Sequence, residues 1–139
     1  MSFSTERNAR TYEIGPGNRY PLGATFDGEG VNFAIWCWAA TRVELLLFEC
    51  ADSPHPFQII TLDDVTNRTF FCWHVYVAGL TPDICYGWRT DGPGNTPRTG
   101  HRFDREKILL DPVARAVTDL LWNRERAIQP GDNCDASMR

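Results

Sequence analysis

Residues able to do covalent or acid–base chemistry are thinly spread over these 139 residues. Nucleophilic catalysis needs a nucleophile, a base to take its proton and a third group to orient the base. Ser2, Ser4, Ser53 and Ser137 all stand in polar stretches, outside any G-x-S-x-G turn. His74, between Trp73 and Val75, reads as a packed or hydrogen-bonded sheet residue and not as a base. Asp63 and Asp64 are neighbouring carboxylates, but adjacent residues at a strand end point to different sides. They read as a solvated turn, not as the facing pair that glycoside hydrolysis uses. Gly15-Pro16-Gly17 and Gly28-Glu29-Gly30 precede no helix, so neither cradles a phosphate. Cys37, Cys50, Cys72, Cys85 and Cys134 are odd in number, widely spaced and without a C-x-x-C pair. Even with His55, His74 and His101 they lack the close ligand pairs of a zinc site, and they read as free thiols acting as small hydrophobes. The expectation is no catalytic residue, no metal and no cofactor.

Binding chemistry is better represented. Indole rings stack on the apolar faces of sugars when one side of the ring is exposed. Four of the five tryptophans, Trp36, Trp38, Trp73 and Trp88, fall in predicted strands. Core packing explains buried ones equally well; Trp36, Trp38 and Trp88 are taken as the candidate carbohydrate-binding residues. A second feature is the stretch from Tyr86 to Pro112, YGWRTDGPGNTPRTGHRFDREKILLDP. It starts as a strand, dissolves into glycine, proline and arginine, and recovers in Ile108-Leu109-Leu110. Such a segment is either a solvated loop or one half of an interface.

The bulk properties exclude other classes. A net charge of −4 leaves no basic footprint for nucleic acid. No apolar run approaches the roughly 20 residues of a membrane span. The start, MSFSTERNAR, lacks the apolar core of a signal peptide, so the expected compartment is the cytoplasm. The triplet Asn67-Arg68-Thr69 has meaning as a glycosylation site only in a secreted chain.

The elements that must position these groups are short strands. Val31 to Trp38, Arg42 to Glu49, Phe57 to Leu62, Phe70 to Val77 and Cys85 to Thr90 are each rich in β-branched or aromatic residues and bounded by turn formers. No helical period of ten residues or more precedes Asp104. Regular short strands predict an all-β, antiparallel sandwich. Val31 to Trp38 is apolar on both alternating sets, so some aromatic surface must be covered by a loop, a sugar or another domain. Leu80-Thr81-Pro82-Asp83-Ile84-Cys85-Tyr86 has the pattern of a tyrosine corner, in which the phenol bonds to backbone a few residues upstream. That points to an immunoglobulin-like sandwich, without the antibody disulfide, since Cys85 precedes Tyr86.

Several blocks, taken in order, carry a resemblance. Tyr20-Pro21-Leu22-Gly23-Ala24-Thr25, Gly30-Val31-Asn32-Phe33-Ala34, Trp73-His74-Val75-Tyr76-Val77, Gly79-Leu80 with Pro82, Tyr86-Gly87-Trp88-Arg89, Asp91-Gly92-Pro93, Gly100-His101-Arg102-Phe103 and Lys107-Ile108-Leu109-Leu110-Asp111-Pro112 follow one another here. Together they resemble the N-terminal domain of isoamylase-type glycogen debranching enzymes, classed with family 48 carbohydrate-binding modules. The resemblance implies an immunoglobulin-like sandwich in front of a (β/α)8 barrel that hydrolyses α-1,6 branch linkages of glycogen or starch. A barrel takes about 250 residues, so its catalytic aspartate and glutamate have no counterpart here. The chain is then expected to be a non-catalytic accessory domain, most simply a piece of a longer enzyme.

The domain division that follows is a polar arm over 1–19, the sandwich over 20–91, a segment over 92–118 that packs on the barrel, and an irregular linker over 119–139. Arg89, Asp91, His101, Arg102, Phe103 and Lys107 are expected at the domain interface. The expected partners are the barrel and α-glucan, with no nucleic acid and no membrane. The rival readings are a stand-alone α-glucan-binding module and an immunoglobulin-like interaction domain with no sugar role.

Overall fold

Alternation of apolar residues along short strands lets two sheets close on a shared core, and the computed structural model, which describes residues 10–139, shows this arrangement. Among the described residues eight strands are formed: β1 (Ile14–Gly15), β2 (Gly23–Phe26), β3 (Gly30–Trp36), β4 (Arg42–Phe48), β5 (Gln58–Thr61), β6 (Arg68–Thr69), β7 (Cys72–Ala78) and β8 (Cys85–Asp91). One sheet has the order β1-β7-β3-β2, with β6 also on β7; the other has the order β5-β4-β8. Every pairing is antiparallel. The described residues are therefore all-β apart from short helical turns at Thr96–Thr99, Arg124–Ala127 and Cys134–Ala136.

The inner faces interdigitate as the alternation requires. Val31, Phe33, Trp73, Val75 and Val77 from the first sheet meet Val43, Leu45, Leu47 and Trp88 from the second. In register, Phe33 faces Val75 and Leu45 faces Trp88.

The described end of the expected N-terminal arm belongs to the sheet. Residues 1–9 lie outside the described residues. Ile14 and Gly15 pair with Val77 and Tyr76 as the edge strand β1. Just before them, the Tyr12 backbone exchanges two hydrogen bonds with the Gln58 side chain (2.9 and 3.1 Å), which ties this edge to the other sheet.

The outer face of the second sheet explains why VELLLF is apolar on both sets. Leu46 and Phe48 point away from the core, yet both are fully buried, under Ile108 and Cys134. Ile108 lies so close to the sheet that a Cβ on Gly87 would sit 2.5 Å from its Cγ2. Two carboxy-terminal stretches hold this cover together. The Ile108 amide donates to Asn133 Oδ1 (2.7 Å), and the Lys107 ammonium donates to the Gly131 carbonyl (2.8 Å) and to that of Gln129. The Arg139 guanidinium lies 4.0 Å over the Phe48 ring. Residues 131–139, expected as part of a linker, instead pack on the sandwich, because two outward-facing apolar strand residues need a lid.

The tyrosine corner is also corrected. Tyr86 does not bond to upstream backbone; its hydroxyl donates to Asp111 Oδ2 at 2.8 Å. The Trp88 indole N–H donates to the same oxygen at 3.2 Å, and Asp111 Oδ1 accepts from the Val113 amide at 2.9 Å. Asp111 is buried at 3% exposure. Beside it, Trp88 and Leu109 exchange both backbone hydrogen bonds (2.9 and 2.7 Å), so residues 107–113 act as a strap on the edge of β8.

Removing the Asp111 carboxylate leaves the Tyr86 hydroxyl and the Trp88 N–H without an acceptor. A buried donor so stranded costs about 1–3 kcal/mol, so Asp111→Ala is expected to lose about 3 kcal/mol. Urea unfolding followed by tryptophan fluorescence measures it; a loss under about 0.5 kcal/mol, the level of an ordinary surface substitution, would show that the carboxylate does not fasten the strap.

Candidate functional site

At the strand end where β3 leaves the sheet, four aromatic rings stand in solvent: Trp36 (55% exposed), Trp38 (53%), Phe70 (80%) and Phe71 (48%). Alternation puts the tryptophans outside, because Ile35 and Cys37 turn inward and pack on the core. The tip between β6 and β7 brings Phe70 and Phe71 alongside. Phe70 takes a left-handed backbone, φ 54°, uncommon for a residue with a side chain. Its carbonyl accepts from Arg68 Nε (2.8 Å), and the Phe71 carbonyl accepts from the Cys37 amide (2.8 Å). The Trp36 ring meets Phe71 edge-on with centroids 6.2 Å apart.

The second half of the surface comes from the glycine- and proline-rich segment. Trp38 meets His101 edge-on at 4.9 Å, and His101 lies 5.8 Å from Phe103. Phe103 folds over Gly92, where an added Cβ would come within 2.7 Å of its ring. The two groups of expected residues, tryptophans and Tyr86–Pro112 segment, thus meet at Trp38, His101 and Phe103. Arg102 is exposed beside them. Asp91 is half-buried, with its Oδ1 accepting from the Gly92 amide (2.9 Å) and its carbonyl from the Thr41 amide (2.8 Å).

Three expected residues lie elsewhere. Trp88 is fully buried, in edge contact with Phe33 and Tyr86, and cannot offer a face to a sugar. Its inward position follows from its register opposite Leu45. Arg89 is engaged within the chain, by Glu44 (2.9 Å) and Asp132 (3.7 Å). Lys107 is bound to carbonyls of the carboxy-terminal cover. Phe70 and Phe71 were missed, since their sequence reads as strand interior; the signal for a turn was the polar run Asp63 to Arg68 just before them.

The charged and polar groups describe a scaffold. Burial by itself would raise the Glu44 pKa, but hydrogen bonds from Arg42 and Arg89 outweigh it and hold the carboxyl below the usual range. A carboxylate so held is a poor general acid. Both His74 ring nitrogens are bonded, one to the Pro16 carbonyl (2.6 Å) and one to the Thr69 hydroxyl (2.8 Å), as expected of a sheet residue. Among the described residues, no three His, Cys, Asp or Glu lie together as a metal site.

Comparison with known proteins places this surface in context. Residues 21–114 match the family model described as carbohydrate-binding module 48 (isoamylase N-terminal domain). The chain is 43% identical over 103 residues to a glycogen operon protein GlgX homolog of Mycobacterium bovis, covering 74% of this chain. It is 41% identical over 105 residues to a glycogen debranching enzyme of Salmonella typhi, covering 76% of this chain. It spans only 13% and 15% of the length of these two curated relatives. Among solved structures, the catalytic module of the pneumococcal glycogen-degrading virulence factor SpuA is similar in fold, with TM-score 0.56 and 16% identity over 89% of this chain and 16% of that one. A GBS pullulanase is also similar, with TM-score 0.53 and 17% identity over 71% of this chain and 12% of that one.

The titrating groups give a pH prediction. Burial, then the hydrogen bond to Asp111 and its charge, hold the Tyr86 phenol well above its ordinary value of 10.0. Burial and Asp132 push the Cys134 thiol from 9.0 up to about 12. A group whose folded pKa is raised contributes stability fully present below its unfolded pKa and lost as pH rises toward the folded one. Unfolding free energy is therefore expected to fall as the pH is raised beyond 9.0 and more steeply beyond 10.0. Tyr86→Phe should reduce the second component, leaving the part due to the Tyr76 phenol, which is also raised. Urea midpoints across that range test this; an identical alkaline slope in the variant would refute the assignment to Tyr86.

Proposed function

The chain belongs to the carbohydrate-binding module 48 family, and we propose that it is the non-catalytic accessory domain of a cytoplasmic glycogen debranching enzyme. In this reading a separate (β/α)8 barrel hydrolyses the α-1,6 branch linkages. This domain seats the barrel and offers the glucan its aromatic end. The observation that carries the proposal is the pairing of two findings on one surface. The segment 92–103 lies within the family match, and it meets Trp38 in the exposed aromatic group.

The 139 residues are too few for a barrel, which takes about 250. No described helix is long and apolar enough to cross a membrane. Relatives with 41% to 43% identity carry glycogen in their names, which supports an α-glucan as the sugar. Two half-exposed indoles on alternate residues offer apolar ring surface of the kind that sugar rings stack on. Asp91, His101, Arg102 and Phe103 remain available for the barrel. Arg89 and Lys107 act instead inside the domain, holding the carboxy-terminal cover that shapes this side.

Affinity electrophoresis through gels containing glycogen tests the glucan role. The wild-type chain is expected to be retarded, and Trp36→Ala and Trp38→Ala each to weaken binding by about threefold to tenfold, the range for one aromatic contact. Trp122→Ala, on an exposed ring that is not one of this group, serves as the control. No retardation, or equal retardation in all variants, would remove the glucan role.

The seat for the barrel is tested by hydrogen exchange on the 139 residues alone and joined to a debranching-enzyme barrel. Amides from Gly92 to Arg102 are expected to exchange fast alone and slowly in the joined protein, against slow exchange in β3 and β7 throughout. Equal protection of Gly92 to Arg102 in both would leave the segment an ordinary loop.

A further inference from the structure

Two carboxy-terminal stretches of the domain also meet through their backbones. The Thr118 amide donates to the Arg139 carbonyl (2.8 Å), and the Arg139 amide donates to the Thr118 carbonyl (3.3 Å). Two bonds exchanged by the same two residues are the mark of an antiparallel pair. On one side of the pair the chain runs back through Val117 and Ala116. On the other side, a polypeptide continuing past Arg139 in the same direction runs alongside them. In an antiparallel ladder alternate residues present both N–H and C=O to the partner, so the next bonding position after Thr118 is Ala116. Ala116 is exposed, and among the described residues no hydrogen bond uses its amide or its carbonyl. The chain bends at Arg115, so the free edge is residues 116–118.

This edge borders unfilled apolar space. Ala116, Val117 and Thr118 line a cleft of about 360 Å³ together with Phe33, Leu80 and Leu110. Val117 keeps 48% of its surface exposed and Leu110 37%. Val117 lies between the two bonding positions. The first residue beyond Arg139 therefore stands opposite it in a non-hydrogen-bonded pair, where side chains approach most closely across an antiparallel ladder.

We propose that, in the longer enzyme, the polypeptide following Arg139 adds to residues 116–118 as a short antiparallel strand. Its first residue is apolar and packs on Val117 at the mouth of the cleft. Its second residue exchanges hydrogen bonds with Ala116. The occupant of this edge is thus the domain's own continuation toward the barrel, held in register by the Thr118–Arg139 pair. The proposal rests on the reading that a barrel follows, and it fixes the path of the connection, along the 116–118 edge and not away from the sandwich.

Hydrogen exchange at the Ala116 amide, read by NMR, tests it on the 139-residue chain carrying Val-Thr-Val-Thr after Arg139. This extension is strand-forming and apolar at its first position. It is expected to slow Ala116 exchange by about tenfold or more relative to the unextended chain, and to shift the Val117 methyl signals. Val-Pro-Val-Thr has no N–H at its second position to give to the Ala116 carbonyl, and should leave Ala116 exchanging as in the unextended chain. Slow exchange at Ala116 is likewise expected when the 139 residues are joined to a debranching-enzyme barrel through the segment that precedes that barrel. Gly92 to Arg102 report the seat of the barrel and Ala116 reports the strand, so the failure of either reading shows on its own amides. Fast Ala116 exchange in the Val-Thr-extended or the joined protein, or equal slowing by the two extensions, would overturn the proposal. So would slowing that grows with protein concentration, which would make the edge a contact between copies.

Discussion

A single buried carboxylate organises one side of this domain. Asp111 accepts from the Tyr86 hydroxyl, the Trp88 indole and the Val113 amide. The Trp88 indole is buried and the Tyr86 hydroxyl partly so, and both need the acceptor. The consequence is positional. Tyr86 and Trp88 are alternate residues of β8 and belong to the sandwich core, whereas Asp111 belongs to a segment with little regular structure. Bonding the one to the other fixes where the chain goes after it leaves the sheet.

From that fixed point the rest of the cover follows. The strap sets Ile108 against Gly87, and Ile108 together with Cys134 buries Leu46 and Phe48 on the outer face of the second sheet. The second sheet is thereby packed on both sides, although it has only three strands. Burying two more large apolar side chains contributes on the order of 1.5–3 kcal/mol each, a large share of what a domain of this size can spare. The carboxy-terminal residues are structural for this reason, and Lys107, Asn133 and Arg139 satisfy the carbonyls and amides of an otherwise irregular path.

With that side closed, the exposed rings are left at the strand ends. The aromatic end has rings in solvent, which is the profile of a recognition surface. The segment 92–103 reaches it only because Phe103 folds over Gly92 and His101 meets Trp38. Trp38, His101 and Phe103, one expected at a sugar and two at the barrel, thus share one patch, whereas Trp88, Arg89 and Lys107 lie elsewhere.

By itself the sequence determined the sandwich and the family, because alternation and ordered motif blocks are local properties that need no partner to be read. Five strand runs were legible within two residues at each end; β1, β2 and β6 were not, being only two to four residues long and recognisable only beside their partners. His74 was legible as a sheet residue from its neighbours. What lay beyond the sequence was which alternating set of a two-sided strand faces the core. That choice buried Trp88 and exposed Trp36 and Trp38, and it depends on register with another strand far along the chain. The partners of Tyr86 were equally out of reach, since Asp111 stands 25 residues away and no local rule links them. Only the tertiary structure decided these points, because a buried hydrogen bond and a covered strand face are made by residues brought together in space, not by neighbours in sequence.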